Sequence, residues 1–126
     1  MERSAIASPD APPAIGPYSP AIRCAILLFL SGQFPLVPET GRLAGDDIAS
    51  QTEQVLRNLS ALLAAAKASF ANVVRTTVFL VDLDDFGAMN EIYGRYMLDP
   101  PPARSTVQVS RLPRDARVEI DLIAVL

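Results

Sequence analysis

The 126-residue chain has no histidine, no tryptophan and a single cysteine. Without histidine, Ser-His and Cys-His nucleophile pairs are excluded, together with the usual metal ligands. One cysteine cannot close an intramolecular disulfide or build a cysteine-based zinc site of ordinary spacing. Long apolar runs are also lacking. The longest, Cys24 to Leu30, falls well short of the roughly 20 residues a membrane helix needs. The first residues, Met1-Glu2-Arg3-Ser4-Ala5-Ile6, carry no apolar signal-peptide centre. The expectation is a cytoplasmic protein without a membrane partner. Eleven basic residues stand against fourteen acidic ones, giving a net charge of -3, and the basic ones are scattered. Nothing here attracts a phosphate backbone, so no nucleic-acid partner is expected. Any catalysis must use Arg, Asp, Glu, Tyr, backbone groups and water, with no metal.

What is present is an ordinary globular balance, 50% hydrophobic and 20% charged. It suits a single domain over residues 1–126 with its own core. Residues Ser4 to Ala7 read as a short strand, followed by a loop from Pro9 to Pro20 with five prolines and one glycine. That loop stiffens the backbone on both sides of Tyr18, as a surface turn or a rigidly presented phenol. Ala21 to Arg23 and Ala25 to Ser31 read as strands, the second nearly all apolar and therefore central and buried. Cys24 lies between them as a small core residue. Gly32 then permits a bulge or the close approach of a ligand.

The clearest helix runs from Asp46 to about Ala68. Ile48, Val55, Leu59, Leu62, Leu63 and Ala66 recur at helical spacing, Gln51 and Asn58 fall on other faces, and Asp46 and Asp47 suit the first turn. Val73 to Val81 reads as a strand and Asp85 to about Met97 as a second helix, with Phe86, Met89, Tyr93 and Met97 directed to the core. Ala103 to Val109 and Arg117 to Val125 are the last strands. The order β-β-β-α-β-α-β-β predicts an α+β domain whose mainly antiparallel sheet carries both helices on one side.

Three prolines, Pro100 to Pro102, lead directly into the strand that begins Ala103-Arg104, so a guanidinium is mounted on a stiff backbone. The alternation places Arg104, Thr106 and Gln108 on one strand face and Glu119 on a polar face of the last strand. The sheet face without helices is expected to expose Thr76, Val78, Thr106, Val107 and Gln108, an uncharged surface suited to another subunit. Arg104 and Glu119 then form an interfacial ion pair or a ligand site, and both readings stand. A simple hairpin would set Arg104 opposite Ile123, roughly 13 Å along the strands from Glu119. A pocket using both residues then needs a bulged register, side chains and a water chain that reach across, or groups from two subunits, and the two-chain pocket is the expectation.

The segments Gly16-Pro17-Tyr18-Ser19, Phe29-Leu30-Ser31-Gly32-Gln33, Pro38-Glu39-Thr40-Gly41, Asn90-Glu91-Ile92-Tyr93, Pro102-Ala103-Arg104-Ser105-Thr106-Val107 and Val118-Glu119-Ile120 resemble the RidA/YjgF family of reactive-intermediate deaminases. The resemblance extends from about Ile6 to Val125, and the Pro-Ala-Arg-Ser element with its downstream glutamate is its specific part. It implies a chorismate-mutase-like fold and a homotrimer with pockets between subunits. The implied reaction is cofactor-free hydrolysis of 2-imino or 2-enamino acids to 2-keto acids and ammonia. Arg104 would hold the substrate carboxylate, Glu119 would activate water and Tyr18 would hydrogen-bond the substrate. Gly32, Ser31, Asn90 and Thr106 would complete its binding surface.

The chain departs from the pattern in three places. Pro20 replaces a commonly polar position after Tyr18-Ser19, which is expected to alter the pocket rim. Thr106 stands where many relatives have cysteine, so a thiol is not required. Ala25-Ile26 replaces a glycine-containing turn, which predicts strain wherever positive φ is demanded. A catalytically weak, trimeric carboxylate-binding or regulatory protein is the alternative reading. Ribonuclease activity and translation inhibition, also ascribed to relatives, find little support in a histidine-free acidic chain.

Overall fold

Period-two alternation and helical spacing generate the expected order of elements. The structure, a computed structural model, describes residues 1–126. Its strands are β1 Arg3–Ile6, β2 Ala21–Cys24, β3 Leu27–Gln33, β4 Val73–Leu80, β5 Ala103–Gln108 and β6 Val118–Val125; its helices are α1 Ile48–Ala65 and α2 Phe86–Tyr96. Along β6, Val118, Ile120, Leu122 and Ala124 are buried while Glu119, Asp121 and Ile123 face the other way, as alternation requires. They meet Val55, Leu56, Leu59, Leu62 and Leu63 of α1 in one core. Each such large side chain contributes about 1.5–3 kcal/mol relative to exposure, before entropy is charged against it. No helix is long and apolar enough to cross a membrane.

Helix α1 begins where the Asp47 side chain accepts a hydrogen bond from the Ser50 amide at 2.9 Å, so Asp47 caps the helix rather than occupying its first turn. Gln51 and Asn58, expected on outer faces, are buried. The Asn58 amide donates to the carbonyls of Phe34 and Leu36, and Gln51 joins the Gly45 carbonyl to the Arg117 amide. Their burial is compensated by fastening two loops to the helix.

The sheet order is β1-β2-β3-β6-β4-β5. This overturns the expected hairpin of the last two strands. β6 crosses to the middle, β4 lies between it and β5, and β5 runs parallel to β4 after the α2 crossover. Arg104 is in register with Thr76, and Thr76 with Leu122, whereas Glu119 is in register with Phe79.

The expected face assignment also changes. Thr76 and Val78 are buried beneath the helices, and their register partners Arg104 and Thr106 share that side. The open face instead carries Thr77, Phe79, Ser105, Val107 and Glu119. Strand β3 is interior to the sheet, yet only one of its faces is covered: Leu28 and Leu30 are buried, while Leu27 and Phe29 remain partly exposed. The turn joining β2 to β3 holds Ala25 at φ 54°, the positive φ anticipated for a position that favours glycine.

Candidate active site

The expected site residues separate into two groups. Around Glu119, the register between β3 and β6 shifts between Leu30 and Gln33, where β3 accommodates one extra residue. This bulge brings the side-chain-free Gly32 under the Glu119 carboxylate. A Cβ at Gly32 would collide with Glu119 Oε2, so it is the placement of the carboxylate, rather than φ, that depends on glycine here. Ser31 ties the strand to the proline-rich loop: its amide donates to the Pro20 carbonyl at 2.9 Å and its hydroxyl to the Ser19 carbonyl at 2.7 Å. The same loop presents Tyr18, whose hydroxyl accepts from the Ile15 amide at 3.2 Å. Together Ile15, Tyr18, Ser31, Gly32, Phe34, Pro113 and Glu119 line a cleft of about 330 Å³.

Burial, and after it the negative charge of Asp121, pushes the Glu119 carboxyl above its ordinary range. Both causes disfavour the ionised form. The result suits a proton acceptor that must later give the proton back. Asp121 is two residues away on the same strand face, so its influence follows from strand alternation.

Arg104 lies elsewhere. Its guanidinium carbon is 4.7 Å from the Tyr93 ring centroid and 5.5 Å from that of Phe86, both on α2. Tyr93 is buried and shares a 2.7 Å hydrogen bond with Thr76 Oγ1. Phe86, expected in the core, is 41% exposed. Asn90 lies between Phe86 and Tyr93 on the same helical stripe, and Thr106 follows Arg104 on the same face of β5. None of the chain's four ion pairs involves Arg104, so the anticipated Arg104-Glu119 salt bridge is not made within one chain. The two residues are on opposite sheet faces, two strands and three positions apart, a backbone separation of roughly 14 Å.

The structure therefore groups Tyr18, Ser31 and Gly32 with Glu119, and Asn90 and Thr106 with Arg104. It does not bring the groups together. No cluster of His, Cys, Asp or Glu suited to a metal ion is present. Sequence reasoning missed Phe86 and Tyr93 as neighbours of Arg104. Their seven-residue spacing was the available signal, since it returns to one helix face after two turns.

The sequence model of the family described as Endoribonuclease L-PSP matches residues 8–126. Reactive Intermediate Deaminase A, chloroplastic, from Arabidopsis thaliana is 47% identical over an alignment covering 100% of this chain and 67% of that protein. The 2-iminobutanoate/2-iminopropanoate deaminase of Mus musculus is 46% identical, with 98% and 91% covered. The crystal structure of E. coli TdcF with bound serine superposes with a TM-score of 0.91 at 39% identity, covering 98% of each chain.

Proposed function

Since the chain belongs to the Endoribonuclease L-PSP family, in which the RidA/YjgF deaminases fall, we propose that it hydrolyses 2-imino and 2-enamino acids to 2-keto acids and ammonia. The observation that carries this reading is the Glu119 carboxylate, raised in pKa and seated over Gly32 in a cleft with Tyr18. An iminium carbon is electrophilic without help from a metal, so placement and proton transfer suffice.

Arg104 receives the substrate carboxylate through two parallel N–H donors. Glu119 takes a proton from water as the water oxygen bonds to the imine carbon, and the C=N electron pair moves to nitrogen. The protonated Glu119 then donates to that nitrogen. The C–N bond breaks as the carbinol hydroxyl becomes the keto oxygen and its proton returns to Glu119, which passes it to the departing ammonia. Tyr18 hydrogen-bonds substrate or water. Ser31, Gly32, Asn90 and Thr106 line the binding surface, and no cofactor takes part.

The opposite-face placement of Arg104 and Glu119 supports a pocket assembled from two chains. The partly exposed Leu27, Phe29 and Val107 give the open sheet face the apolar character of a subunit interface. We assign the protein a homotrimer with one pocket at each junction, acting in the cytoplasm on small carboxylates, without nucleic-acid or membrane partners. A ring of head-to-tail contacts sets Arg104 of each subunit and Glu119 of the next at opposite ends of one pocket, with the substrate between them.

The test is subunit complementation with 2-iminopropanoate generated in situ. Arg104→Ala and Glu119→Gln homotrimers should each be impaired, and a co-refolded equal mixture should recover about a quarter of wild-type activity. Mixtures no better than their parents would exclude the two-chain pocket. Wild type no faster than buffer would exclude the deaminase. The second reading, a carboxylate-binding or regulatory trimer, draws on the relative crystallised with serine. It predicts keto-acid binding lost in Arg104→Ala without turnover in wild type.

A further inference from the structure

We propose that Phe86 and Tyr93 are positioning residues that hold Arg104 by the faces of its guanidinium and so fix the substrate-carboxylate receptor. The inference rests on the carboxylate-anchoring role of Arg104 given above. A long side chain on an edge strand is ordinarily free to sample several rotamers. Here the guanidinium carbon lies 4.7 Å and 5.5 Å from two ring centroids, inside the range for cation–π attraction. The rings belong to residues on one helical stripe, about 10 Å apart along the axis, and the cation lies against both, which makes an aromatic bracket of the pair.

The choice of partner matters chemically. A carboxylate beside Arg104 would occupy the N–H groups that must receive the substrate, and would compete with it. An aromatic ring attracts the planar cation through its face and leaves the N–H edge free for a bidentate contact. The absence of Arg104 from the chain's ion pairs fits this division.

The bracket is itself anchored. Tyr93 is only 6% exposed, and its hydroxyl bonds Thr76 at 2.7 Å, the residue in register with Arg104 on the adjacent strand. Helix, strand and cation thus form a closed circuit. Phe86 is less buried and can be altered without opening the core.

The experiment compares Phe86→Leu, Phe86→Tyr, Tyr93→Phe and Arg104→Ala by steady-state kinetics on 2-iminopropanoate, by titration with pyruvate and by thermal denaturation. Phe86→Leu keeps apolar bulk but removes the π face. It should raise KM and the pyruvate Kd together, by roughly three- to tenfold, with kcat and Tm nearly unchanged. Phe86→Tyr should restore wild-type binding. Tyr93→Phe keeps the ring but removes its anchor to Thr76, so it should lower Tm and raise KM and the pyruvate Kd by less than Phe86→Leu does. If Arg104→Ala weakens pyruvate binding but Phe86→Leu binds like wild type, the positioning role is overturned and the anchor stands. If Arg104→Ala itself binds normally, the anchor is overturned and the positioning role with it. A drop in Tm and kcat for Phe86→Leu without a change in KM or Kd would make the ring merely structural.

Discussion

The glutamate and arginine regions are built by different means. Glu119 is placed by backbone: a bulge, a glycine without a side chain and two hydrogen bonds from Ser31 that lock the Tyr18 loop. Arg104 is placed by side chains, on an edge strand and against aromatic rings. The first arrangement fixes a carboxylate through the main chain; the second fixes a cation against ring faces and leaves its N–H edge open. Their separation teaches that one chain contains two distinct constellations on opposite sheet faces, each held by its own set of contacts.

The strongest way to break this comparison is to disable chemistry while sparing recognition. Glu119→Gln should reduce kcat on 2-iminopropanoate by about 10²- to 10⁴-fold, while pyruvate titration shows near-normal affinity at Arg104. Equal losses of affinity and turnover would mean that the regions are not separable. Gly32→Ala should follow, because its methyl group displaces the carboxylate. A kcat loss on the order of 10²-fold with a folded protein by circular dichroism is expected, since an ångström of misplacement costs that much.

The pH dependence sharpens the electrostatic side. Glu119 has its carboxyl raised by burial and then by Asp121, so activity that needs the carboxylate should rise through that elevated pKa. Asp121→Asn should move the acidic limb of the kcat/KM profile to lower pH, leaving the plateau unchanged. For stability the native state binds this proton more tightly than the unfolded chain. The favourable contribution is full below the unfolded pKa and is lost as pH rises through the folded one. Glu119→Gln should therefore raise Tm at neutral pH more than in acid; the opposite trend would contradict the assigned direction.

The smallest effect is expected away from both regions. Ala25 has φ 54°, and Ala25→Gly should stabilise the protein by about 0.5–1 kcal/mol, the αL relief outweighing the added entropy of the unfolded chain. Denaturant unfolding would measure this, with kinetics unaltered.

Alternation and spacing made the elements legible, down to their order. Pairing was less so. Seven residues, Ser110 to Ala116, separate the two final strands as the sequence draws them, and consecutive strands usually neighbour one another. Nothing local in that segment says that β4 will intervene, because the preference arises from burying β6 on both edges and α2 across β4 and β5. The side chains of the Pro-Ala-Arg-Ser element and Glu119 could be named in advance, but their opposite faces depended on that pairing. Phe86 and Tyr93 show the same limit. Their common stripe is visible in spacing, whereas the cation between them is brought by a strand that follows the helix.

The extra residue at the Ser31–Gly32 bulge also fixes the phase of the strand. Before it, even-numbered Leu28 and Leu30 turn inward; after it, odd-numbered Gln33 does. A one-residue deletion here would make the pairing with β6 continuous and keep the inward and outward positions, but would flatten the bulge that carries Gly32 to the Glu119 carboxylate. The segment is thus constrained in length as well as in composition, and indels should be purged there more severely than most substitutions.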